Sequence, residues 1–241
     1  MSDKNWTTTD KCLNCGSPVT GNYCSNCGQE TNTGRYGVST ISKDLAKEKF
    51  NIKSKHLKTL LQLIISPGKF SREFLSGKRV SYTKPIAFYL FILGIYLVLF
   101  HNFSDVILPS DNTDVKHNEL NNIVKQNMNY FSFIMPAVYS LTFYLFNGKR
   151  TGINIAESFV ISLYFFAATL VIGILFMLLI FIDPLLWSLR TIIIALYLLY
   201  SYYQLAQLKG IKGILLTIIT TSSGFFIVVV IILAFSIIFV Y

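Results

Sequence analysis

The stretch Ser66–Pro85, "SPGKFSREFLSGKRVSYTKP", divides the chain into two chemistries. Before it the sequence is polar, basic and broken by turn residues; from Pro85 to Tyr241 it is dominated by Leu, Ile, Val, Phe and Tyr. Within it Lys69, Arg72, Lys78, Arg79 and Lys84 are interleaved with Phe70, Phe74, Leu75, Val80 and Tyr82. That mixture suits a membrane surface, where rings and aliphatics enter the acyl boundary while the cations meet lipid phosphates. Pro85 stands where a helix would begin, because a first turn does not need its missing N–H, and a wholly apolar run follows.

Composition agrees with this division. Of 241 residues 53% are apolar and 14% charged, and a mean hydropathy of +0.52 points to a polytopic membrane protein. Residues 1–84 hold 14 Lys and Arg against 6 Asp and Glu, a net of +8, and residues 85–241 hold 7 against 6, a net of +1. The first thirty residues carry four cysteines in place of an apolar leader, so the N-terminus is expected to stay in the cytoplasm.

Those cysteines form two pairs, Cys12 with Cys15 and Cys24 with Cys27, each followed by Gly in "CLNCG" and "YCSNCG". A CxxCG knuckle offers two thiolates from one tight turn, and two knuckles offer the tetrahedral set that zinc takes. Residues 1–30 therefore read as a small zinc ribbon with one structural Zn2+ per chain, its two knuckles separated by a short hairpin over Ser17-Pro18 and Gly21-Asn22. Four thiolates leave no open coordination position, so the metal is not expected to be catalytic. Between Lys11 and Glu30 the ribbon has one basic residue, Lys11, and one aromatic, Tyr23, which argues against nucleic acid and for a protein partner.

Residues 31–40 read as a flexible linker and residues 41–84 as basic amphipathic or interfacial helices. Leu57, Leu60, Leu61, Ile64 and Ile65 recur at helical spacing with Lys55, Lys58 and Gln62 opposite, a pattern open to two readings: a helix on the membrane surface or one on the protein's own core. Residues 85–241 form the transmembrane domain, with spans expected at Pro85–Asn102, Asn129–Phe146, Ile155–Ile182, Leu189–Leu208 and Gly213–Tyr241. Pro136 is expected to kink the second span, and the hydroxyls of Thr220–Gly224 to bond neighbouring backbone or another helix within the fifth. The fold class is thus all-α and polytopic, with about five spans. Loop charges put Asp105, Asp111, Asp114 and Glu119 on one side and Lys149, Arg150, Lys209 and Lys212 on the other, so the C-terminus is expected outside.

The order of ribbon, "SPGKF.REFLSGKR", "KPIAFYLF", Pro136 and "FNGKR.GINIAESFVISLYFF" resembles a family of bacterial inner-membrane proteins of unknown function. The resemblance implies a location in the bacterial cytoplasmic membrane and no activity. It singles out the four cysteines, Pro67, Gly68, Arg72, Glu73, Gly77, Lys78, Arg79, Pro85 and Glu157. Family members often carry His after the Glu, where this chain has Ser158, which counts against a Glu-His site. The size and multispan build are also similar to those of small membrane proteins encoded beside RNA-guided defence effectors.

No nucleophile, phosphate-loop or metalloprotease motif is present, and His56, His101 and His117 lie far apart. Glu157, Asp183, Arg190 and His101 all fall at expected span ends, so no ionisable group is expected near mid-bilayer. Glu157 is expected close to Lys149, Arg150, Lys78 and Arg79 and is read as a structural ion pair at the cytoplasmic interface rather than a substrate or ion site. Lys78 and Arg79 are expected to anchor the first span through anionic lipid headgroups and Glu157. The expected function is non-enzymatic: an inner-membrane protein whose ribbon and basic segment recruit or regulate a soluble partner. The alternatives are an oligomeric pore or transporter, with the chain forming a homo-oligomer, and an accessory protein of an RNA-guided defence system.

Overall fold

The computed structural model describes residues 10–46, 55–108, 115–208 and 210–240. Among these residues the chain is helical without any strand: α1 (Val38–Ala46), α2 (Lys55–Ile65), α3 (Pro67–Leu75), α4 (Pro85–Ile107), α5 (Val115–Phe143), a π-helical turn (Tyr144–Gly148), the short α6 (Lys149–Thr151), α7 (Ile155–Leu179), α8 (Pro184–Ala206) and α9 (Gly210–Val240). Prolines open three of them. Pro67, Pro85 and Pro184 occupy the first turns of α3, α4 and α8, where their fixed φ suits a helix start. Asn154 and Glu157 form a reciprocal capping box at the start of α7.

Four segments are long and apolar enough to cross a membrane, Pro85–Ile107, Ile155–Leu179, Leu185–Ala206 and Gly210–Ala234. The second expected span is the C-terminal half of α5, which lies along α7 and α9. Side-chain contacts set the directions. Tyr164 of α7 donates to Thr83 O just before α4, and Phe103 meets Phe181 at 5.2 Å just beyond α7, so α4 and α7 run parallel. In α5, Ser140 O accepts from Ser158 at 2.9 Å while Val124 and Met128 pack beside Met177, so α5 runs the opposite way. Tyr202 meets Ser162 at 2.7 Å and Trp187 packs beside Met177, so α8 also runs opposite to α7. The result is a five-helix up-and-down bundle with α7 at its centre. The end at which α4 and α7 begin is called the near end below.

Several boundaries differ from expectation. The loop expected at 103–128 is mostly helix, because Val124 and Met128 continue the apolar stripe of α5 onto the Tyr96–Phe100 cluster. The acidic residues Asp111 and Asp114 lie outside the described residues. Helix α8 starts at Pro184 rather than Leu189 because the Asp183 side chain accepts from Leu185 N at 2.8 Å, and that shift carries Arg190 two turns into the span. Pro136 sits inside α5 without ending it. Expected hydroxyl bonding in α9 is present: Thr217, Thr220, Thr221 and Ser223 each donate to a carbonyl one turn back.

Helices α2 and α3 close the near end. Phe70 and Phe74 of α3 pack against Tyr82 and against Tyr164 of α7, ring centroids 4.7 to 6.5 Å apart, in a buried aromatic cluster. Such aromatic contacts are worth about 0.5–1.5 kcal/mol each beyond the area they bury. The Gly68 N–H meets Gln204 Oε1 at 3.1 Å on α8, an approach so close that a Cβ there would fall 2.3 Å from the same oxygen.

Candidate metal centre and the hinge it rests on

Each knuckle is closed by its own backbone. Gly16 N donates to Cys12 O and Gly28 N to Cys24 O, both at 2.8 Å, with Gly16 and Gly28 in left-handed conformation. Cys12 N donates to Ser17 O and Cys24 N to Gln29 O, again at 2.8 Å, and isolated antiparallel bridges pair Lys11 with Pro18 and Tyr23 with Glu30. The two halves repeat one another at an offset of twelve residues, as Cys12 to Cys24 shows. The hairpin expected between the knuckles is absent; residues 17–22 instead pair back within their own half or forward to Thr31.

The folding of both knuckles brings the four Sγ atoms within 4.8 Å of one another, with Cys12 to Cys27 and Cys15 to Cys24 at 3.5 Å. A tetrahedral ion with bonds of about 2.3 Å to sulfur needs edges of about 3.8 Å, so the set fits a closed four-thiolate site. Ser17 draws the Cys15 thiol down to about 6, and burial pushes Cys27 up to about 11; a bound dication would hold both as thiolates.

The cysteine cluster is seated on the stretch Ser66–Pro85, the hinge between the two halves of the chain. Gln29, buried directly after the second knuckle, donates from Nε2 to Gly77 O at 2.8 Å and accepts from the N–H groups of Arg79 at 3.1 Å and Val80 at 3.3 Å. Asn14, inside the first knuckle, accepts from Ser81 Oγ at 2.8 Å and Ser81 N at 3.3 Å. Gly77 holds φ at +104°, and a Cβ there would lie 2.7 Å from Leu13 Cδ1. That backbone conformation and the lack of a side chain both matter, since either alone would bar most residues. The repeat is therefore functionally split: Asn14 and Gln29 face the hinge, whereas their counterparts, Asn26 and Ser17, bond one another at 3.1 Å.

The other sequence-selected residues sort differently from expectation. Glu157 is not paired with Lys78 or Arg79. Its carboxylate accepts from Arg35 twice, at 2.9 Å from Nε and 2.5 Å from Nη2, and from Asn154 N at 3.0 Å. Arg35 also donates to Gly152 O, and Asn154 Nδ2 to Tyr36 O at 3.0 Å, so the segment read as a linker is bonded to the start of α7. Lys78 meets Glu73 at 3.4 Å, and Glu73 also accepts from Tyr82 at 2.6 Å, which holds its carboxyl below the usual range. The guanidinium of Arg79 lies 4.2 Å over the Tyr36 ring and donates to Gly34 O at 2.5 Å. Arg72 is exposed at the end of α3. Lys78 and Arg79 are thus committed to protein contacts, because the "linker" supplies partners that proximity in sequence did not suggest.

Sequence reasoning missed Arg35, Asn14 and Gln29. The twelve-residue repeat is a signal that could have found Gln29, which stands where the first knuckle has Ser17, whereas Asn14 and its counterpart Asn26 are the same residue and the repeat does not separate them. Reasoning from expected span ends also misplaced Arg190, whose guanidinium lies 3.9 Å from the Trp187 ring and near Tyr96, midway along α4. His56 packs on Phe91 at 5.3 Å rather than standing in solvent.

Residues 54–97 match a family described as a protein of unknown function (DUF3667). The match covers 44 of the 241 residues, from just before α2 into α4, and so contains the hinge but neither the cysteines nor Glu157. No curated protein and no solved structure matches the chain.

Proposed function

We propose that the chain is a non-enzymatic protein of the bacterial cytoplasmic membrane, crossing five times with its near end in the cytoplasm and its C-terminus outside. One zinc ion staples the ribbon, and the ribbon presents a soluble protein partner to the membrane domain. A single observation carries this reading: Gln29 joins the second knuckle to three backbone groups of the hinge, so a load on the ribbon reaches the start of α4 through buried hydrogen bonds rather than through a slack tether. The outward side of the ribbon is left for contact, with Tyr23 62% exposed.

Adaptor behaviour is favoured over a pore by the dry seam between α5 and α9. Thr217, Thr220 and Thr221 are buried and bonded to their own helix, Asn147 Nδ2 donates to Thr220 Oγ1 at 3.1 Å, and Gly224 packs on the Tyr139 ring. A water-filled path along α9 would need those hydroxyls to face a lumen.

The test is a photo-crosslinking amino acid at position 23 in the living cell. A discrete adduct with a cytoplasmic protein, lost when Cys24 and Cys27 are both changed to Ser, is expected. Adducts only with a second copy of the chain, or none, would overturn the adaptor reading.

A further inference from the structure

Helix α2 combines features that an ordinary core helix does not. At its start His56 packs on Phe88 and Phe91 of α4; in its middle Thr59 Oγ1 accepts from Thr83 N at 3.1 Å; near its end Leu63 O accepts from Tyr197 of α8 at 3.3 Å. Since α4 and α8 flank α7, α2 runs across the outside of the bundle from one to the other. Thr83 lies just before α4, Phe88 and Phe91 within about its first two turns, and Tyr197 between two and three turns from the near end of α8, so α2 crosses between the near ends of the spans and a depth of roughly 10 Å inside them. Thr59 and Leu63 face the bundle and are fully buried, while the opposite side shows Leu57 62%, Leu61 49% and Ile65 70% exposed. Both sequence readings of this helix are therefore realised at once, one on each face. An outward apolar face at that depth meets acyl chains.

A groove of about 600 Å³ between α2 and α3 joins that apolar face to charge. Its lining sets Leu57, Leu61 and Ile65 beside Lys58 and Lys69, with Gln62 and Ser66 between them and no carboxylate. Both lysines are exposed and neither forms an ion pair among the described residues, although the field of Lys69 reaches Glu73. By contrast, Lys78 and Arg79, the cations first assigned to lipid, are held by Glu73, Gly34 and Tyr36.

We infer that this groove is a binding site for one anionic phospholipid of the near leaflet, its phosphate between Lys58 and Lys69 and an acyl chain along Leu57, Leu61 and Ile65. Charge complementarity and depth select this occupant. Two ammonium groups without an acid partner among the described residues favour a phosphate, and the adjoining apolar strip rules in a chain that a free anion lacks. The inference rests on the near end lying at a membrane surface.

Full-length protein is reconstituted with phosphatidylcholine alone or mixed with phosphatidylglycerol, extracted gently and weighed by native mass spectrometry. Wild type is expected to retain phosphatidylglycerol in preference to phosphatidylcholine. Lys58→Gln with Lys69→Gln should lower that preference roughly thirtyfold, from about 1 kcal/mol per lysine, whereas Lys58→Arg with Lys69→Arg should keep it. Lys149→Gln, a near-end change outside the groove, should leave it unaltered. Equal loss in Lys149→Gln, no loss in the double Gln variant, or displacement of the lipid by inorganic phosphate at matched concentration would each overturn the site. Protein that carries no lipid of either kind would instead overturn the membrane placement on which the site rests.

Discussion

Removing Arg35 provides a demanding test of the near-end architecture, because Glu157 is 5% exposed and Arg35 43%. The burden falls unequally on the two partners. Arg35→Ala leaves a buried carboxylate without its cation, a loss of about 3–5 kcal/mol for a buried pair. The remaining Asn154 N–H and the N-terminus of α7 recover about 1 kcal/mol, so a net cost of roughly 2–4 kcal/mol is expected. Glu157→Gln keeps the capping geometry and frees an arginine that water can reach, so its cost should be about 1–2 kcal/mol. The double variant should cost about 1–2 kcal/mol less than the sum of the singles. Denaturation of full-length protein in mixed micelles, followed by near-ultraviolet circular dichroism, reads these differences. Additivity of Arg35→Ala and Glu157→Gln within about 0.5 kcal/mol would refute the pair. Lys78→Ala with Glu157→Gln should be additive; coupling there would restore the pairing expected from sequence.

Other expectations follow from single sites. Gly77→Ala meets both a φ of +104° and Leu13 Cδ1 at 2.7 Å, so it should release metal to a chelator faster than wild type, whereas Gly94→Ala, with open space around it, should not. Arg190→Leu should leave thermal stability unchanged or raised, since a cation in an apolar cluster with no acid partner among the described residues gains little there; a large loss would show that its contact with the Trp187 ring carries that part of the bundle. For Glu73 the folded pKa lies below the unfolded value, so its stabilisation is present above the usual carboxylate range and is lost as pH falls through that range toward the folded value. Tyr82→Phe should shrink that acid-side dependence, which a denaturation series from neutral to acidic pH would reveal.

How much of this was legible beforehand depends on the range of the interactions. Cysteine spacing and hydrophobic run length are local, and both read through: the four thiols cluster, and the apolar stretches are helices that Pro85 and Pro184 open. Charge pairing is not local. Arg35 reaches Glu157 across 122 positions, and among fourteen cations in residues 1–84 nothing in the sequence marks it above Lys78 or Arg79. The expected start of α8 at Leu189 falls late because Asp183 is a cap followed by a first-turn proline, signals that hydrophobic run length does not register, and the depth of Arg190 follows from that boundary. Asn14 is hidden for a different reason: a neutral side chain bonded to Ser81 carries no charge, and the twelve-residue repeat places the same residue, Asn26, in the other knuckle.

The proposed coupling of a zinc-bound ribbon to the hinge is open to one direct measurement, hydrogen exchange at the backbone amides of Arg79 and Val80 in full-length protein loaded with zinc and again after chelation. Both amides donate to Gln29 Oε1, and Gln29 is positioned by the knuckle that Cys24 and Cys27 close. Slow exchange in the zinc-loaded protein that accelerates on stripping, while amides in the middle of α7 stay protected, is the expected result. Unchanged exchange at Arg79 and Val80 after complete loss of zinc would contradict the coupling of ribbon to hinge.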